Sequence, residues 1–163
     1  MKKKLRLRKV QLSDCRRIWY WRNEKEVRKF SFQHLKIPYA QHQSWFKAKL
    51  SDSKSIILIA ENASQEPIGQ ARFDRLNLRL AEVHIIIEKN SRNQGWGQIL
   101  LSKACQYGFR TLKLKNIKAQ ILSQNSRSLV LFQNLGFKTK GSRKIKKQVA
   151  YTLILTKNAK KAG

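Results

Sequence analysis

Two glycines flank a tryptophan in Ser91-Arg92-Asn93-Gln94-Gly95-Trp96-Gly97, between an apolar run at 81–87 and a helix-patterned stretch from about Gln98. A glycine-rich turn leading into a helix presents several unpaired backbone N–H groups and the positive end of the helix dipole. Gly95 and Gly97 carry no Cβ, so an anion can approach the main chain closely, and Arg92 adds a full positive charge. That combination is a cradle for a pyrophosphate; the plain alternative is a tight strand-to-helix turn with no ligand. It is neither the Gly-x-x-x-x-Gly-Lys-Ser/Thr of a nucleoside-triphosphate P-loop nor Gly-x-Gly-x-x-Gly. Just upstream, Glu82 and His84 lie two residues apart on a strand, hence on one face, where both can relay protons through water. Each also has a structural reading: Glu82 as the partner of one of many cations, His84 as a satisfied core imidazole.

The elements that must hold these groups follow from periodicity. Leu5 to Val10 alternates apolar with basic residues, the pattern of a strand with one wet face. Ser13 and Asp14 supply N-cap chemistry for a helix carrying Ile18, Trp19 and Trp21, and a second helix is expected from about Pro38 to Leu50. Strands are expected at 55–61, 68–74 and 81–87, the last a central one with consecutive β-branched residues. A helix from about Gln98 to Leu112, a strand at 117–122, a short helix at 125–135, a strand from Phe137 and a last strand at 150–156 complete the chain. The sequence predicts a mixed α/β fold, β-α-α-β-β-β-α-β-α-β-β, with helices packed on one sheet. Residues 138–147 hold six Lys/Arg and read as a loop or splayed hairpin; the end of the chain, from 158 to 163, reads as a solvated basic tail.

The chain has 163 residues, with 36 Lys+Arg against 9 Asp+Glu, a net charge of +27. That length suits one domain, here residues 1–157, and 41% hydrophobic content can build a core. No apolar run approaches the ~20 residues of a membrane span. The N-terminus returns to charge too soon for a signal peptide. Cys15 and Cys105 have no companions at metal-ligand spacing, so a reduced, cytoplasmic protein without a structural metal is expected. Cys105 falls in helix-core register and is not expected to be a nucleophile. The charge points to polyanions, phosphorylated metabolites or an acidic surface without choosing among them.

Arg92-x-x-Gly95-x-Gly97 resembles the Arg/Gln-x-x-Gly-x-Gly/Ala motif of the GNAT superfamily of acyl-CoA N-acyltransferases. Some thirty residues on, Asn125, Ser128, Phe132 and Gly136-Phe137 match that family's second motif, and the resemblance covers nearly the whole chain. It implies a GNAT fold: a mostly antiparallel mixed sheet of about six or seven strands, flanked by about four helices and splayed between the fourth and fifth strands. It also implies acetyl-CoA as cofactor. The pyrophosphate would rest on the cradle formed by Arg92, Asn93, Gln94, Gly95, Trp96, Gly97 and Gln98. Pantetheine would pair like an extra strand with the backbone of Ile85 and Ile87, and Asn125, Ser128 and Phe132 would flank it. A backbone N–H near Ile85 or Ile86 would stabilise the oxyanion of the tetrahedral intermediate, typically worth ~3–4 kcal/mol. Many relatives have a Tyr at the position of Phe132 as the acid for the thiolate, and some a Glu at the position of Ser123. Both are missing here, which leaves Glu82 and His84 as the catalytic candidates.

Trp21-Arg22-Asn23, Val27-Arg28, His42-Gln43-Ser44-Trp45 and Ile68-Gly69-Gln70-Ala71-Arg72-Phe73-Asp74 resemble the GNAT branch that acetylates nucleotide-linked amino sugars, of the pseudaminic acid pathway type. Carried over, Arg22, Asn23, Arg28, His42, Trp45, Arg72 and Asp74 would contact the acceptor. Arg22 and Arg28 can meet a nucleotide diphosphate as charge-assisted pairs, and Trp45 can stack on a base or sugar. The structural alternative makes Trp19, Trp21 and Trp45 packing aromatics and pairs Asp74 with Arg72 or Arg75. Rival functions are N-terminal acetylation of a ribosomal protein and an inactive GNAT-like nucleic-acid-binding module; polyamines are disfavoured because a +27 protein repels a polycation. A monomer or homodimer is expected.

Overall fold

The computed structural model describes residues 3–158, so the tail expected at 158–163 lies outside the described residues from 159 on. Seven strands form one open sheet in the order β1-β2-β3-β4-β5-β7-β6. They are β1 (Arg6–Lys9), β2 (Ser55–Glu61), β3 (Pro67–Arg75), β4 (Leu80–Ile87), β5 (Asn116–Leu122), β6 (Lys138–Ile145) and β7 (Gln148–Thr156). The helices are α1 (Cys15–Asn23), α2 (Lys25–Lys29), α3 (Tyr39–Ser51), α4 (Trp96–Arg110) and α5 (Ser126–Asn134), with 3-10 turns at Leu12–Asp14 and Lys89–Ser91.

The two faces of the sheet explain the two kinds of strand. β2 is apolar from Ile56 to Ala60 because both of its faces are covered: Ile57 and Ile59 pack with Ile18, Trp21 and Phe46 of α1 and α3, while Ala60 joins the cluster under α4. β3 and β4 alternate. Ala71, Phe73, Ala81 and Val83 face α4, whose Leu100, Leu101, Ala104 and Cys105 form one buried stripe. The alternate residues Arg72, Asp74, Glu82 and His84 face the other way, toward the side covered by α1 and α3.

All strand pairs are antiparallel except β4 with β5, which are parallel and pair only over Leu80–Glu82 with Asn116–Lys118. Beyond Glu82 the two strands part. The sheet is therefore splayed between its fourth and fifth strands, as the family resemblance implies.

Two elements differ from expectation. Residues 138–147 form a regular edge strand and a turn: β6 pairs with β7 along its length although seven of its eight residues are exposed. The backbone pairing to β7 holds it in place, and its lysines guard an edge that would otherwise attract another strand. α2 is an additional single-turn helix, set off from α1 where Glu24 leaves helical geometry at ψ 141°.

Candidate active site

The cradle sits where β4 ends. After the 3-10 turn, Asn93 takes φ 60° and Gly95 φ 81°, so the chain reverses through two left-handed residues before α4 begins at Trp96. A Cβ built on Gly95 would meet nothing within 4 Å, so the space above the turn is open. Among the described residues, Asn93, Gln94 and Gly95 donate no backbone hydrogen bond outside the regular elements. The first amides of α4 have no intrahelical acceptor by construction. The turn thus presents free N–H groups at the positive end of a helix dipole, the donor set that a diphosphate requires.

Arg92 is held otherwise than the motif suggests. Its Nε donates to the Ile87 carbonyl at 2.9 Å, Nη1 to Glu26 at 3.0 Å, and Nη2 lies 2.8 Å from Glu24. It therefore ties the α1–α2 corner to the base of the cradle. The cation at the cradle mouth is Lys3, whose ammonium donates to the Gln94 carbonyl and lies 4.8 Å from the centre of the Trp96 ring.

The splay supplies the channel. With β5 diverging, the β5-facing backbone groups of Val83 to Ile87 have no strand partner. Ile85 and Ile87 pack on the α4 side, and Ile86 on the α1–α3 side. Across the channel, α5 opens with Asn125 as N-cap, its Oδ1 accepting from the Ser128 amide at 3.3 Å, which accounts for the spacing of these two motif residues. Phe132 is buried edge-on against Phe137, ring centres 4.9 Å apart.

On the opposite face, strand register gathers the polar residues: Arg72 lies opposite His84, Asp74 opposite Glu82, and Glu82 opposite Lys118. Asp74 receives Lys49 at 2.7 Å, Arg72 at 2.9 Å and Ser55 at 3.0 Å. Burial pushes its carboxyl up, but Arg72 and Lys49 outweigh this and hold it below the usual carboxylate range. His84 Nε2 lies 3.5 Å from Asp74 and 3.6 Å from Glu82. Burial, then the Arg72 charge, still lower the imidazole to about 4 against the pull of Asp74, so it is neutral at pH 7. Lys118 Nζ lies 3.6 Å from Glu82 across the mouth of the splay.

Arg22 and Trp45 border this polar face. The Arg72 guanidinium lies 5.4 Å from the centre of the Trp45 ring. Arg22 is half-buried; Nη2 makes one long bond of 3.4 Å to the Gln33 carbonyl, and Nη1 is buried with no partner. Burial, Arg72 and Arg28 all lower its pKa. Arg28 donates to the carbonyls of Asn23 and His34 at 3.0 and 2.8 Å. The Asn23 amide clamps both backbone groups of Ile37. His42 is 2% exposed, and its Nε2 donates to the Cys15 carbonyl at 3.0 Å. Burial lowers its pKa despite that bond. Asn23 and His42 thus brace the site's wall, while Arg22, Trp45, Arg72, Asp74, Glu82 and His84 come together on one face.

The sequence reading missed Glu24 and Glu26, which hold Arg92, Lys49 and Ser55, which hold Asp74, and Lys118 and Lys3. Lys118 carried a signal, since it alternates with Ile117 and Ala119 on a strand whose other face is core. The others come from distant segments and carried none.

The family profile described as an acetyltransferase (GNAT) domain matches residues 4–138. The chain is 27% identical over 121 residues to the acetyltransferase PseH of Campylobacter jejuni (strain 81-176), covering 74% of each protein. It is 24% identical over 143 residues to the spermidine N(1)-acetyltransferase of Vibrio cholerae, covering 86% of this chain and 83% of that protein. A crystal structure of a spermidine N-acetyltransferase from Vibrio cholerae with CoA and spermine superposes with a TM-score of 0.86 at 21% identity, over 93% of this chain and 95% of that one. An uncharacterized Methanocaldococcus jannaschii protein, MJ1062, is 29% identical over 139 residues; the match covers 83% of this chain but only 28% of that longer protein.

Proposed function

The chain belongs to the acetyltransferase (GNAT) family and is an acetyl-CoA-dependent N-acetyltransferase, and on that premise we propose that its acceptor is an anionic amine, the amino group of a nucleotide-linked sugar. The observation that carries this reading is Arg22. A guanidinium nitrogen buried without a partner, beside two other arginines, is a costly arrangement that an anionic ligand would relieve. None of the protein's nine carboxylates pairs with it among the described residues. A phosphate meeting Arg22 would also bring the acceptor alongside Trp45 and Arg72, with its amine toward Glu82 and His84.

Bound acetyl-CoA supplies an activated acetyl thioester. The free amides from Asn93 into α4 would hold its diphosphate, and the unpaired edge of β4 would hold the pantetheine arm. A backbone N–H of that edge, at Ile85 or Ile86, would stabilise negative charge developing on the carbonyl oxygen, worth ~3–4 kcal/mol for a well-aimed donor. Glu82 and neutral His84, which lies between Glu82 and Asp74, would take the amine's proton through water; as the C–N bond forms, the thioester C–S bond would break and that proton would return through water to the leaving thiolate. Lys118, 3.6 Å from Glu82, holds that carboxylate at the mouth of the splay.

A polyamine acceptor is the second reading, favoured by the kinship with a spermidine acetyltransferase. Incubating the protein with labelled acetyl-CoA and separate panels of amino-sugar nucleotides, polyamines and ribosomal peptides distinguishes them. Product on an amino-sugar nucleotide supports the first reading, and product on polyamines alone overturns it.

A further inference from the structure

Beside the cradle, on the side away from α5, a cleft of about 600 Å³ opens between the chain's first residues, the β2–β3 turn and α4. Its cations are Lys3, Lys4, Arg6 and Lys103, with Asn62 and Gln65 at the turn. Of these cations Arg6 is paired with Glu61, which also holds Arg8, and Glu66 takes the Asn62 amide at 2.7 Å, so the unpaired cations of the cleft are the lysines. No Asp or Glu follows Glu88 in the chain, so α4 itself offers Lys103 no counter-charge. Lys3, Lys4 and Lys103 form no ion pair among the described residues.

The cleft is continuous with the cradle through Lys3, which lines it and also reaches Gln94 and the Trp96 ring. Buried Leu5 anchors this strap against the core. Lys103 lies seven residues after Trp96, two turns on and on the same helix face, about 10 Å along the axis. A ligand whose diphosphate rests on the turn would therefore meet, within the reach of one nucleoside, a second group of positive charges.

We infer that the 3′-phosphate of coenzyme A seats in this cleft, held by Lys3 and Lys103, so that the enzyme selects CoA over its dephospho form. The inference rests on the cofactor reading above and specifies which end of the cofactor lies on which side of α4. A phosphomonoester dianion between two otherwise unpaired ammonium groups forms charge-assisted bonds that the uncharged ribose hydroxyl cannot replace.

Calorimetric titration of the full chain with CoA and with dephospho-CoA tests this. Wild type should bind CoA about tenfold or more tightly than dephospho-CoA, a margin that shrinks as salt rises. Lys103→Glu should erase most of that margin while leaving dephospho-CoA affinity within about twofold, since the lost contact is to the 3′-phosphate alone. Arg127→Glu, in the first turn of α5, should keep the margin. Equal binding of both compounds by wild type would overturn the subsite and leave the cradle standing, as would a margin lost in Arg127→Glu and kept in Lys103→Glu. Binding of neither compound would overturn the cradle and the subsite together.

Discussion

Replacing Arg22 with methionine separates what this side chain does for the fold from what it does for the acceptor. Methionine keeps an unbranched stem of similar length, so packing on α1 changes little. The variant loses one bond, the 3.4 Å contact to Gln33, at the weak end of the 0.5–1.5 kcal/mol range for a net hydrogen bond. It also sheds a buried, unpartnered Nη1, whose desolvation costs about 1–3 kcal/mol, and the repulsion with Arg28 and Arg72. The balance is a gain of about 1 kcal/mol, or roughly 2–4 °C in melting temperature for a chain of this size. Catalysis should move the opposite way. Losing charge-assisted bonds to an acceptor phosphate, about 1.5–3 kcal/mol, lowers kcat/KM for that acceptor roughly 10- to 150-fold. The KM for acetyl-CoA should not change. Thermal and urea denaturation paired with steady-state kinetics on the acetylated nucleotide sugar read both effects. A variant that is less stable and equally active would show that the guanidinium serves the fold, and the argument for an anionic acceptor would fall.

Gly97→Val should raise the Kd for CoA more than about tenfold with little change in melting temperature. Its Cβ already sits 3.4 Å from Leu131 and 4.0 Å from Ile87, so the added methyls crowd the mouth of the channel; unchanged affinity in a titration would count against the cradle. Arg92→Ala frees Glu24 and Glu26 and unties the α1–α2 corner from the cradle, so KM should rise for both substrates; a rise for acetyl-CoA alone would return Arg92 to simple phosphate contact. His84 is lowered from about 6.5 to about 4, so between these pH values the unfolded chain binds a proton that the folded chain does not, and stability falls as pH falls through that window. Since the ring is still 38% exposed, the effect is discounted to about 1 kcal/mol over the whole window, and His84→Gln should remove about that much of the fall in unfolding free energy between the two pH values. A slope identical to wild type between those pH values would contradict the assignment.

What the sequence made legible was whatever depends on local period or on one continuous motif. The period-two spacing of Glu82 and His84 put both on one face of β4, and Arg92 to Gly97 gave the cradle because glycines and a helix start lie within seven residues. The rest depends on long-range pairing. The sequence could not show that Arg92 is taken by Glu24 and Glu26, which are more than sixty residues away, because any of the nine carboxylates was an equal candidate. His42 lies in a plausible acceptor motif, yet its exposure of 2% and its bond to Cys15 follow from how α3 crosses α1. Residues 138–147 read as a loop or splayed hairpin because the six-cation segment conceals a strand whose pairing to β7 rests on backbone bonds. Phe132, read as the loss of an acid, is in the fold a packing partner of Phe137.

With thirty-six cations and nine carboxylates, each ion pair marks a place where the fold needs one. Asp14 and Glu61 lock β1 and the start of α1 through Arg6, Arg8 and Arg17; Glu24 and Glu26 fix Arg92; Asp74 and Glu82 gather the polar face of β3 and β4. Two half-enclosed sites have cations and no carboxylate, Arg22 on the acceptor side and Lys3 with Lys103 beside the cofactor cradle. If anionic substrates complete these two sites, ionic strength should act on binding more than on folding. The paired carboxylates Asp14 and Glu61 are buried and weakly screened, whereas the ligand sites open to solvent. Raising salt should therefore increase KM for both substrates while the melting temperature moves little. A melting temperature that falls in step with rising KM would mean that the same charges hold the fold, and that the open cations are solvated surface with no ligand to meet.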